Sequence, residues 1–145
     1  MASDLRAVVE ELGGEAVLRR RLDRSIDLQA AIRDGFPQQV IAELMQAVGL
    51  SIKELAACLD LSARSLQRRR REGRLARYES DRLYRLARIV ALAKSSLGGR
   101  DAAIRWLKRP NRALGGKAPL AIIDTEPGAC AVENVLGRIA FGGVS

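Results

Sequence analysis

The nineteen residues Ile52-Lys-Glu-Leu-Ala-Ala-Cys-Leu-Asp-Leu-Ser-Ala-Arg-Ser-Leu-Gln-Arg-Arg-Arg70 decide how this chain is read. Ser51 stands just before them and Glu54 follows three residues later. That is the spacing of a capping box, in which hydroxyl and carboxylate each accept a hydrogen bond from the other residue's backbone N–H. It predicts a helix over Ile52–Leu59. Ser62 is a second cap, for a helix reaching about Arg71 and stopped by Gly73. Two short helices joined by so tight a turn pack at roughly a right angle. Leu55, Leu59, Leu61 and Leu66 then face inward, and Ala56 leaves room for the crossing. The turn requires positive φ, which glycine normally supplies. Here the residue is Asp60, which tolerates that region better than most. The segment reads as a helix-turn-helix.

In such a motif the second helix enters the major groove of DNA. Its outward residues have suitable chemistry. Arginine pairs with guanine O6/N7, glutamine with adenine N6/N7, and small residues contact thymine methyl groups or phosphates. Arg69, Arg70, Arg71, Arg74 and Arg77 suit phosphates, or the negative end of the helix dipole. The expected DNA-contacting set is Arg64, Ser65, Gln67, Arg68, Arg69 and Arg71. The charge distribution agrees. The chain carries +8 overall, but residues 64–88 hold ten basic and three acidic side chains, and residues 89–117 seven and one. Both ends are mildly acidic. A basic middle between acidic ends describes a localised anion-binding surface. The same run could be a solvated helix face, but four successive arginines, Arg68–Arg71, repel one another unless an anion compensates.

Working outward, helical spacing of apolar residues recurs along the 145 residues. Helices are expected over Asp4–Leu12 (capped by Ser3), Glu15–Leu22 and Ile26–Arg33. Pro37 is expected as the first residue of a helix running to Gly49. A long helix follows over Tyr78–Leu97, then a short one over Asp101–Lys108, in which Trp106 and Leu107 would anchor it. Residues 111–124 read as a loop with a single helical turn. Thr125 caps a last helix over Pro127–Phe141. Strand patterns are absent, so the fold class is all-α: an N-terminal helical region with a helix-turn-helix, then a small helical domain. The expected division is 1–36, 37–77 and 78–145.

Composition excludes several function classes. With no histidine, Ser-His-Asp and Cys-His catalysis and histidine-ligated metal sites are unavailable. Neither GxxxxGK[ST] nor GxGxxG occurs, and Gly115-Gly116-Lys117 lacks the spacing of a phosphate loop. No catalytic residue, metal site or cofactor is expected, and the chain is not read as an enzyme. Cys58 and Cys130, far apart and without a CxxC motif, could form one disulfide, but are expected to pack as thiols in the core of a reduced cytoplasmic protein. The early charge of Met1-Ala-Ser-Asp-Leu-Arg argues against a signal peptide, and no apolar run is long enough for a membrane span.

The second half carries a more specific pattern. It consists of Glu79-Ser-Asp-Arg-Leu-Tyr-Arg-Leu-Ala-Arg-Ile; Ala103-Ile-Arg-Trp-Leu-Lys-Arg-Pro-Asn-Arg-Ala-Leu-Gly-Gly-Lys-Ala-Pro-Leu; Asp124-Thr-Glu-Pro-Gly; and Leu136-Gly-Arg-Ile-Ala-Phe-Gly. With the upstream Ile32-Arg-Asp-Gly-Phe-Pro, this resembles the Xre-type antitoxins of the MbcA/ParS/Xre family across residues 30–145. It departs from the family's pattern at Asp60 and at Phe141, where tyrosine is common. The resemblance implies an antitoxin that neutralises a RES-domain, NAD-consuming toxin by covering its active-site cleft with the antitoxin's C-terminal part. It also implies repression of the protein's own operon through the helix-turn-helix.

On that basis Arg138, Phe141, Gly142, Gly143, Val144 and Ser145 are the expected toxin-binding residues. Phe141-Gly-Gly-Val-Ser145 reads as a small-residue tail able to enter a dinucleotide pocket. The expected partners are the RES toxin, double-stranded operator DNA and a second copy of the chain, joined through the long helix and C-terminal domain inside a larger toxin–antitoxin assembly; no membrane partner is expected. Two other readings stay open: a helix-turn-helix repressor without a toxin, and a basic protein that binds nucleic acid without sequence preference.

Overall fold

Both caps of the quoted segment form. In the computed structural model, which describes residues 4–142, the Ser51 hydroxyl accepts from the Glu54 N–H at 3.1 Å. The Glu54 carboxylate accepts from the Ser51 N–H at 2.9 Å. That backbone donation holds the Glu54 carboxyl below its ordinary range. Ser62 accepts from the Ser65 N–H at 3.2 Å. The two helices so started are α5 (Ile52–Cys58) and α6 (Ala63–Glu72). Before them come α1 (Leu5–Glu11), α2 (Gly14–Leu18), α3 (Ser25–Asp34) and α4 (Gln39–Val48); after them come α7 (Arg77–Leu97), α8 (Arg100–Lys108) and α9 (Glu126–Ala140). The described residues contain no strand, as the all-α reading requires, only isolated bridges at Pro37–Arg74 and Asn111–Lys117.

The long helix α7 is the axis. It packs against α1, α3 and α4 on the N-terminal side and against α8 and α9 on the other. Leu83, Leu86, Ala87, Ile89 and Val90 are fully buried along it. Removing each large apolar side chain from water contributes about 1.5–3 kcal/mol. One continuous core runs from Val8 to Leu136.

Several local expectations change, each for an identifiable reason. The second helix ends at Leu18 rather than Leu22. Arg19 turns left-handed at φ 60°, and the Leu22 N–H donates to the Glu15 carboxylate at 2.6 Å. Pro37 does not start α4. It bridges to Arg74, the Gln38 N–H donates to Gly73 O, and the helix begins at Gln39. Gly35 permits this approach, since a Cβ there would lie 2.1 Å from Leu75 O. The expected cap Ser3 lies outside the described residues, and Asp4 caps α1. Residues 111–124 hold two 3₁₀ turns, Arg112–Leu114 and Pro119–Ala121, rather than one turn. Leu107 is fully buried as expected. Trp106 is half-buried and packs against the core beside it, with Ala103 fully buried on the same helix.

Candidate functional site

The α5–α6 unit has the geometry that its sequence calls for. Asp60 sits at φ 53°. Leu55, Leu59 and Leu66 are fully buried, Ala56 nearly so, and Leu61 half-buried. Burial of Leu66 fixes the roll of α6 and leaves Arg64, Gln67, Arg68, Arg70 and Arg71 exposed. Ser65 is half-buried, with its N–H engaged by the cap. Arg64, Arg70 and Arg71 have no ion-pair partner among the described residues. Arg68 lies 3.7 Å from Glu72, one turn along. Such an exposed pair contributes little and opens easily toward a stronger anion.

Arg69 is different. Its Nε donates to the carboxylate of Glu79 at 3.1 Å, and Glu79 is 1% exposed. Of the six expected DNA-contacting residues, this one is turned into the protein, where it ties α6 to the start of α7. The sequence offered one faint sign: a glutamate inside a run otherwise spaced for burial.

A second constellation links α7 to the C-terminal segment. Arg85 donates to Ile123 O at 3.4 Å and Asp124 O at 3.1 Å, and pairs with Glu126 at 3.2 Å. Arg88 pairs with Glu126 at 2.8 Å and Glu133 at 2.9 Å. Burial works against the charged forms of Glu126 and Arg88, but their mutual hydrogen bond and charge outweigh it. The carboxyl is held below its ordinary range and the guanidinium above its own. Arg82, Arg85 and Arg88 recur every third residue, the spacing of one helix face; sequence reasoning counted them only within the basic stretch 64–88 and missed these internal partners.

These contacts aim α9. Thr125 caps it, accepting from the Gly128 N–H at 3.2 Å, with Pro127 in the first turn. A Cβ at Gly128 would lie 1.6 Å from Ile122 O, so the glycine is demanded by backbone contact. At the far end Arg138 is exposed and Phe141 is 75% exposed. Gly142 turns the chain at φ 83°. The expected toxin-binding residues Gly143, Val144 and Ser145 lie outside the described residues. The exposed residues of α6 and the C-terminal cluster lie on different elements, each tied to α7 by ion pairs.

The cysteines divide. Cys58 is half-buried; desolvation pushes its thiol up to about 12, leaving negligible thiolate at neutral pH. Cys130, expected in the core, is exposed, because α9 turns that face outward, one turn above Glu126. No group of acidic or thiol side chains among the described residues could hold a metal ion, and no helix there is long and apolar enough to cross a membrane.

Comparison with known proteins places both halves. Residues 27–88 match the Antitoxin Xre-like helix-turn-helix domain, and residues 91–142 match the Antitoxin Xre/MbcA/ParS C-terminal toxin-binding domain. Antitoxin Xre of Yersinia enterocolitica is 32% identical over 143 residues, spanning 97% of this chain and 93% of the relative. Antitoxin Xre of Photorhabdus laumondii is also 32% identical, over 81% of each chain. Among solved structures, a chain from the M. tuberculosis MbcT–MbcA toxin–antitoxin complex superposes with a TM-score of 0.57 at 26% identity, covering 74% of this chain and 96% of that one. This chain is a member of the Xre/MbcA/ParS antitoxin family.

Proposed function

We propose that this chain neutralises a RES-domain, NAD-consuming toxin by blocking its active-site cleft with residues 138–145, and represses its own operon through α6. The observation that carries the toxin half is Phe141, an aromatic ring left 75% exposed at the end of a capped helix. Arg138 stands one turn before it. Aromatic and arginine side chains of this kind are the usual anchors of protein interfaces. The similarity of residues 91–142 to a toxin-binding domain supports the same surface.

The DNA half is carried by Arg64, Gln67 and Arg68 on the solvent side of α6, with Arg70 and Arg71 beside them. Two copies would read two half-sites about one helical turn apart. The dimer would form through the long helix and the C-terminal domain, within the toxin–antitoxin assembly. A cytoplasmic location follows from this function.

The test is co-expression with the toxin encoded in the adjacent reading frame. The full chain is expected to rescue growth and to co-elute with the toxin on gel filtration. Cells that remain poisoned, with no co-eluting complex, would overturn the toxin half.

A further inference from the structure

The first turns of α7 grip the helix-turn-helix at two points. Glu79 accepts from Arg69 of α6 at 3.1 Å and from the Ala76 N–H at 2.7 Å. One turn further on, Arg82 donates to Leu59 O at 3.3 Å and to Asp60 O at 2.5 Å. Those carbonyls end α5 and form the turn, where helical N–H donors run out. The Arg82 guanidinium also lies over the Tyr78 ring, 5.7 Å from its centroid, a cation–π contact that restricts its freedom. Beside them Ser80, fully buried, accepts from the Phe36 N–H at 2.8 Å and donates to Ala76 O at 2.9 Å.

A buried carboxylate is a poor choice where packing alone is needed. Its desolvation offsets much of what the ion pair returns, and an apolar residue of similar size often does as well. What a buried pair adds is direction: with the roll of α6 set by Leu66, the Glu79–Arg69 bond holds α6 at its angle to α7, and the carbonyl bonds of Arg82 hold the bend between α5 and α6. We infer that Glu79 and Arg82 are positioning residues for the DNA-reading helix, setting its angle without touching DNA. This rests on the DNA-binding half of the proposed function.

The test uses the full-length protein and its Arg82→Ala, Arg82→Lys and Glu79→Gln variants. The probes are the duplex immediately upstream of the chain's own coding sequence and a shuffled duplex of equal length, at one fixed salt concentration. Circular dichroism melting sets an assay temperature at which all four proteins are folded. Arg82→Ala and Glu79→Gln are expected to lose roughly tenfold or more of the preference for the upstream duplex, the scale of one lost charge-assisted hydrogen bond. Affinity for the shuffled duplex should hold, because the phosphate-contacting arginines are intact. Arg82→Lys should recover part of the preference, since an ammonium keeps the charge and the N–H donors that one guanidinium nitrogen gives to the two carbonyls, but loses the planar group that lies over the Tyr78 ring.

An unchanged preference in both Arg82→Ala and Glu79→Gln would overturn the inference. So would an equal loss on both duplexes, which marks a merely structural role. A wild-type protein that fails to distinguish the duplexes would instead refute the assignment of α6 as the reader, a failure the wild-type lane alone reveals.

Discussion

Replacing Gly128 with alanine should destabilise the protein sharply, and the structure sets the scale. The new Cβ would meet Ile122 O at 1.6 Å and Ile122 C at 2.8 Å. Real Cβ contacts stay beyond 3.0 Å, so the backbone at Ile122 must retreat by at least about 1.4 Å. That segment cannot move alone. It carries the fully buried Ile123, both carbonyls bonded by Arg85 and the Thr125 cap. Overpacking of this kind costs about 1–3 kcal/mol, and loss of the cap adds about 1 kcal/mol. The sum, about 3 kcal/mol, is a large share of a typical stability of about 5–15 kcal/mol. It should lower Tm by roughly 6–12 °C in a chain of this size. Gly137, nine residues along the same helix, is the internal control. A Cβ there meets nothing within 4 Å, so alanine should stabilise by about 0.5–1 kcal/mol through helix propensity alone. Parallel thermal and urea melts read both variants. If Gly128→Ala is as stable as wild type, or both glycines respond alike, the close approach of Ile122 to α9 is refuted.

Further expectations concern the turn, the arginine clusters and acid. Asp60→Gly should stabilise by about 0.5–1 kcal/mol by relieving the left-handed turn, read as a rise in urea midpoint; a fall would mean that the aspartate side chain contributes something of its own. Arg64→Ala should weaken binding to the upstream duplex by about 1–3 kcal/mol per lost base contact without moving Tm. Arg69→Ala should lower Tm first, because it leaves a buried carboxylate without its counter-ion, at a cost of about 3 kcal/mol. Identical behaviour of the two variants would erase the distinction drawn between them. Arg88 and Arg85 hold the Glu126 carboxyl below its ordinary value of 4.5, so its stabilising contribution is present above that pH and is lost as pH falls through the lower folded value. Urea midpoints at neutral pH and well below 4.5 should therefore differ more in wild type than in Glu126→Gln; equal differences would remove Glu126 from the acid response.

Much of this architecture is legible in the sequence because its determinants are local. Ser51 with Glu54, Ser62 and Thr125 announce helix starts through bonds that span three residues. Asp60 announces the turn, and leucine spacing announces which faces are buried. What escapes is set at long range. Glu15 shortens α2 by taking the Leu22 N–H, and the pairing of residues 37 and 74 delays α4. Arg69 reads as one more exposed cation until Glu79, ten residues on, is seen beside it. Arg82, Arg85 and Arg88 read as part of the basic middle of the chain, yet two of them donate to carbonyls of the turn and of the segment before α9. Cys130 shows the same limit in reverse, since a helical pattern does not say which face of the last helix a neighbour will cover.

The most direct measurement deletes residues 138–145 and assays the two proposed activities in one preparation: rescue of cells expressing the toxin of the adjacent reading frame, and binding to the upstream duplex. The truncated chain is predicted to lose rescue and co-elution with the toxin while keeping its preference for the upstream duplex. Full rescue by the truncated chain would contradict the account, because the surface around Arg138 and Phe141 would then not be what blocks the toxin.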